Sequence, residues 1–298
     1  MRIIDTHAHY DSEAFDADRE ELLGSLPGRG ITAVVNMAAS MEGARQSMEL
    51  ARRYPFVYAG TGLHPDDIGT LCEPDGEAVP QSDHWGGPVV WHEETLEELR
   101  KLARDPRCLA IGEIGLDYYW KVQPREVQQA GFIRLMELSQ ELDLPINVHS
   151  REAAQDTFDL IRAHHAGTTG GVLHCYSGSP EMAREYVKMG YYLGIGGVVT
   201  FKNARTLVSV VEQIPLEHLV TETDCPYLTP APNRGKRNDS TRIADVIARI
   251  AQIKGMDEEE TAAILLENAC RLYRTDFGAG ADETGMGADG GSEDRQNG

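Results

Sequence analysis

The chain has 298 residues, which suits one α/β barrel of about 250 residues with some additions. With 41% hydrophobic and 26% charged residues, its composition is that of a soluble globular protein, and no run approaches the roughly 18 apolar residues of a membrane span. A net charge of −20 excludes a broad basic face for nucleic acid, but not a small local site for phosphate.

Met1-Arg2 leads straight into an apolar run, so no signal peptide is expected. The five cysteines (Cys72, Cys108, Cys175, Cys225, Cys270) are scattered with no C-x-x-C pair, which predicts a reducing, cytoplasmic setting without a thiolate zinc site. Strand-like runs follow at residues 3–6, 31–36, 56–62, 108–113, 145–149, 171–174, 191–194 and 219–224. Between them lie helical patterns. Leu96, Leu99, Leu102 and Ala103 share one face, and another helix spans residues 125–142 before Pro145. A late helix opens with Asp257 and Glu260 spaced as a capping box and carries Leu265, Leu266, Ala269 and Leu272. Eight strands alternating with helices predict a parallel sheet closed as a (β/α)8 barrel over residues 1–275. A doubly wound open sheet fits less well, because polar residues end so many different strands. Residues 66–92, rich in Gly, Pro and acids, are expected to form a long loop insert. Residues 276–298 hold six acids and one arginine in a Gly-rich background and are expected to be a disordered tail.

The strand ends carry the chemistry. Alternation in a strand turns His7 and His9 to the same side. His64, Glu113, His149, His174 and Asp224 end the third, fourth, fifth, sixth and eighth runs. In a barrel all of these meet at one mouth, where active sites lie. One histidine after a strand is more often a loop or core residue, and one aspartate before Pro226 could simply cap a turn. Several such residues at corresponding places point to divalent cations held by imidazole and carboxylate, such as Zn, Mn, Mg, Ni or Co. His84, His92, His164, His165 and His218 are expected at the surface, and Cys175 and Cys225 as small packing residues. Arg151 is a candidate phosphate partner, as is the basic cluster of Arg234, Lys236 and Arg237. Tyr118, Tyr119 and Trp120 are candidates for stacking on bases at the rim.

The stretches DTHAHYD, GLHPDD, AIGEIGLDYYW, INVHSREA, LHCYSGS, VTETDCPYLTP and PNRGKRN, in that order, resemble the TatD family of metal-dependent hydrolases, usually described as deoxyribonucleases. The resemblance runs over residues 1–275. It implies a metallo-dependent-hydrolase barrel with two divalent ions. His7, His9, Glu113 and Asp224 would hold one, and Glu113, His149 and His174 the second, with Glu113 bridging. Asp66 stands where the family often has His, the insert is longer than usual, and the tail is extra. No lysine ends the fourth strand, so the carbamylated-lysine bridge of related amidohydrolases is absent. The implied activity is phosphodiester hydrolysis, with DNA as substrate, Asp224 as base and His64 in support. Ester, lactone or amide hydrolysis on the same metals, including of aminoacyl-tRNA, is the alternative within enzymes. A metal-bound binding protein without turnover is the alternative outside them.

Overall fold

The structure, a computed structural model, describes residues 1–75 and 88–277. Eight parallel strands form one sheet in chain order. They are β1 (Ile3–Ala8), β2 (Ile31–Met37), β3 (Val57–Thr61), β4 (Cys108–Asp117), β5 (Ile146–Arg151), β6 (Gly171–Leu173), β7 (Tyr191–Ile195) and β8 (Leu219–Thr221). The ends of the sheet meet: Ala8 pairs with Cys225, and Asp224 donates its N–H to His7 O at 2.9 Å. Thr6 and Thr221 reach across the same seam, each hydroxyl donating to a carbonyl of the other strand. The expected (β/α)8 barrel is therefore the fold.

Strand alternation sorts the core. Val34 of β2 joins one apolar cluster, and its neighbours Ala33 and Val35 join another, packed with Leu266, Ala269 and Tyr273 of the last helix, Glu258–Tyr273. Asp257 caps that helix by accepting the N–H of Glu259 and Glu260.

Several expectations are revised. β4 continues past Glu113 to Asp117, because Ile114 and Leu116 are both buried and the added length pairs with Ser150 and Arg151 of β5. The stretch 66–92 is not simply a loop. Its described parts hold a 3-10 turn at Ile68–Thr70 and an antiparallel ribbon pairing Cys72–Pro74 with Val89–Trp91. Residues 76–87, with His84, lie outside the described residues, as do 278–298 of the expected tail. Phe277, placed in that tail, is buried instead, its ring 5.1 Å from that of Tyr58. His165 is buried rather than at the surface, bonded to Ser139 Oγ at 2.8 Å and Tyr191 Oη at 2.6 Å. Among the described residues no helix is long and apolar enough to cross a membrane.

Candidate metal centre

β1 delivers His7 and His9 to the mouth with their Nε2 atoms 3.0 Å apart. Glu113 Oε2 stands 3.4 Å from His7 Nε2 and 3.6 Å from His9 Nε2. Asp224 Oδ1 stands 3.3 Å from His9 Nε2 and 3.9 Å from His7 Nε2. Donors held 2.0–2.2 Å from a tetrahedral ion are about 3.3–3.6 Å apart, so this spacing suits one cation. The other oxygen of Glu113 faces a different pair. Oε1 lies 2.8 Å from His149 Nδ1 and 3.3 Å from His174 Nε2.

Local backbone explains how Glu113 gets there. A Cβ at Gly112 would meet Asn147 Cβ at 2.5 Å, so only glycine lets β4 and β5 approach this closely. Asp224 follows the end of β8 with φ 54°, a left-handed turn unusual for a residue other than glycine. That turn and the hydrogen bond to His7 O hold its carboxylate beside His9. Asp5, to which sequence reasoning gave no role, supports the seam from below. It accepts hydrogen bonds from Thr223 Oγ1 at 2.6 Å and Ser240 Oγ at 2.7 Å. Burial pushes its carboxyl up to about 7, against the pull of those hydrogen bonds.

The far side of each imidazole faces an oxygen. His9 Nδ1 is 2.9 Å from Met37 O, and His7 Nδ1 is 3.0 Å from Asn147 Oδ1. His149 Nε2 is 3.1 Å from Asp117 Oδ2, and His174 Nδ1 is 3.5 Å from Glu222 Oε1. A carbonyl only accepts, so His9 carries its proton on Nδ1 and turns a lone pair toward the lone pair of His7. With the rings neutral, lone pairs and carboxylate oxygens converge on one another. That arrangement fits a divalent cation and little else.

The charge balance agrees. Burial would raise the carboxyl of Glu113, but His174 and His7 hold it well below the usual value. Burial would lower His9, but Asp224 and Glu113 outweigh it and raise the ring to about 9, so protons compete for the place of a cation. His64 differs. Burial pushes it down to about 4. Its Nδ1 accepts the N–H of Asp66 at 3.2 Å, which leaves Nε2 as a donor. Its ring lies 4.3 Å from that of His149.

The other predicted residues spread out. Arg151 is exposed at the end of β5, its guanidinium 4.1 Å from the centre of the Tyr119 ring. Arg234 lies 4.1 Å over Phe201, and Lys236 is exposed. Arg237 is held by the Asp18 carboxylate at 2.6 Å and by Ala14 O at 2.8 Å. Tyr118 is buried, donating to Asp156 Oδ2 at 2.8 Å, so it leaves the rim to Tyr119 and Trp120. Sequence reasoning missed Asn147, Asp117 and Glu222. Their signal was present: each is a polar residue set in or at the end of an apolar run, one or two residues from a donor or in the same strand.

Comparison with known proteins decides the family. The family model described as TatD related DNase matches residues 4–274. This chain belongs to the TatD family. A relative from Bacillus subtilis (strain 168), YabD, described as an uncharacterized metal-dependent hydrolase, is 38% identical over 91% of this chain and 99% of its own. The "3'-5' ssDNA/RNA exonuclease TatD" of Cronobacter sakazakii is 30% identical over 91% of this chain and 97% of its own. Among solved structures, the TatD homologue YJJV of Escherichia coli K12 superposes with a TM-score of 0.80 at 29% identity, covering 92% of this chain and 98% of that one. The chain is a metal-dependent hydrolase on a metallo-dependent-hydrolase barrel.

Proposed function

We propose that the chain hydrolyses phosphodiester bonds in nucleic acid, DNA above all, with two divalent ions. The observation that carries this reading is the two-sided Glu113, one oxygen toward His7 and His9 and the other toward His149 and His174. His7, His9, Glu113 and Asp224 would hold one ion, and Glu113, His149 and His174 the other. When bound, such ions polarise a phosphoryl oxygen and acidify water to a pKa of about 7.

The chain's own residues do the rest. Burial would raise Asp224, but its hydrogen bond with His9 and the nearby imidazoles hold it below the usual carboxylate value, so it is ionised at neutral pH. It takes the proton of the attacking water as the bond from oxygen to phosphorus forms and the ester P–O bond breaks, and that proton passes through solvent to the departing alkoxide. His64, neutral with its proton on Nε2, donates to a phosphate oxygen. Arg151, Arg234 and Lys236 draw the backbone toward an otherwise acidic molecule. Arg237, already paired with Asp18, instead ties the loop after β8 to the segment after β1. The name of the Cronobacter relative supports a nucleic-acid substrate. Five free cysteines fit a cytoplasmic setting.

The test is a substrate panel. Protein stripped with a chelator and resupplied with Mg, Mn, Zn, Co or Ni is given labelled single-stranded DNA, p-nitrophenyl acetate, a lactone and an aminoacyl-tRNA. Metal-dependent DNA cleavage supports the reading. Turnover of carbonyl esters alone would replace it with the carbonyl hydrolase reading.

A further inference from the structure

Six large hydrophobic side chains are exposed among the described residues, and four of them stand in two loops at the mouth. Tyr119 (46%), Trp120 (58%) and Val122 (55%) follow β4, and Tyr227 (61%) follows β8. Strands four places apart in a ring of eight lie on opposite sides of it. The donors lie between: His9 Nε2 is 3.6 Å from Glu113 on the β4 side and 3.3 Å from Asp224 on the β8 side.

Both aromatic groups are tied to the centre through their backbones. Tyr119 and Trp120 donate their N–H groups to Asp117 Oδ1 at 2.9 and 3.0 Å, and the other oxygen of Asp117 faces His149. Tyr227 donates its N–H to Asp224 O at 2.9 Å. Their side chains are not used in the same way. The Trp120 indole N–H and the Tyr227 hydroxyl make no hydrogen bond among the described residues. The Tyr119 and Trp120 rings meet edge to face at 4.8 Å. Arg151 stacks on both, 4.1 and 5.3 Å from their centres, and each ring still leaves about half of its residue exposed.

Exposed aromatic area on rigidly anchored backbone is costly to leave in water and suits a flat apolar partner. Resting on the phosphodiesterase reading above, we propose that Tyr119–Trp120 and Tyr227 form a two-sided base clamp across the metal centre. It takes single-stranded nucleic acid, with one unpaired base stacked on each side of the scissile phosphate and Arg151 on the adjoining backbone. Bases in a duplex have no free faces to offer, so the clamp selects unpaired strand ends or single strands.

The test compares the parent with Trp120→Ala, Tyr227→Ala, Trp120→Phe and Tyr227→Phe. Each metal-loaded protein is given a thymidine oligomer, the same oligomer with abasic nucleotides, and a blunt duplex. Cleavage gives KM and kcat, and fluorescence anisotropy on a cleavage-resistant phosphorothioate oligomer gives Kd. Base–aromatic stacking predicts that each alanine variant loses about 5- to 100-fold in KM and Kd on thymidine. On the abasic oligomer the loss should be under about twofold, and the phenylalanine variants should stay near the parent. Equal losses on both oligomers, or none on thymidine, would overturn the clamp. Cleavage of thymidine oligomer with no effect of the alanine changes removes the clamp and leaves the phosphodiesterase reading. Base-dependent binding without cleavage by any metal does the reverse, and no binding at all removes both.

Discussion

Asp224 combines a left-handed backbone, a place beside His9 and a lowered pKa, and each of these bears on one substitution. Asp224→Asn keeps the shape but cannot take a proton. Loss of a general base costs about 10²–10⁴-fold in kcat, and metal content measured alongside separates this from weaker binding. Parental turnover with full metal would show that another group activates the water. His64 is a poor substitute, because its Nδ1 accepts from Asp66 and its Nε2 carries the hydrogen. Glu113→Gln and His174→Ala test the bridge. The first should lower occupancy of both ions and the second mainly one, read as metal per chain by elemental analysis. Equal single losses would count against bridging. At this scale the donors were legible because each breaks an apolar run at its end. Asp117, Asn147 and Glu222 carry the same mark, but the partners that give them a role were not legible, since those stand on other strands. Glu222 also needs room that only glycine leaves: a Cβ at Gly194 would come within 2.2 Å of its Oε2.

Among the elements, the terminal segment after the last helix gives a clean comparison. Phe277 packs between Tyr58 and Tyr273, and its carbonyl accepts from Arg2. A chain ending at Thr275 loses this ring, at a cost of about 1.5–3 kcal/mol. Its Tm should fall by several degrees. A chain ending at Phe277 should keep the parental Tm, since what it lacks is Gly-rich and acidic. Equal Tm values for the two truncations would show that the ring contributes nothing. His165 gives a second test, this time in pH. Burial lowers it to about 4, so the folded chain keeps it neutral while the unfolded chain protonates it below about 6.5. The stability it lends is therefore full above pH 6.5 and declines as pH falls toward 4. The stability gap between parent and His165→Gln, from urea titrations, should narrow over that range. A constant gap would contradict the neutral, buried assignment. Neither feature was legible from local pattern. His165 ends a polar helix turn, and Phe277 stands alone before a glycine tract; only the fold supplies Ser139, Tyr191 and Tyr58 as their neighbours.

For the whole molecule, the alternation of eight apolar runs with helices made the barrel legible, and the barrel in turn told which strand ends would meet. The opposition of Tyr119–Trp120 and Tyr227 was less accessible, because it depends on strand order around a closed ring rather than on sequence distance. An acidic chain with 48 Asp and Glu against 28 Lys and Arg can bind a polyanion only through local features. Bound cations, a few rim cations and aromatic faces are such features. The central claim is that two ions bridged by Glu113 act together on a phosphodiester. The most direct measurement is the rate of single-stranded DNA cleavage by chelator-stripped protein as manganese is added back in known equivalents. The account predicts little cleavage up to one ion per chain and a rise that completes at two. Full activity at one ion, or no cleavage with two ions bound, would contradict it.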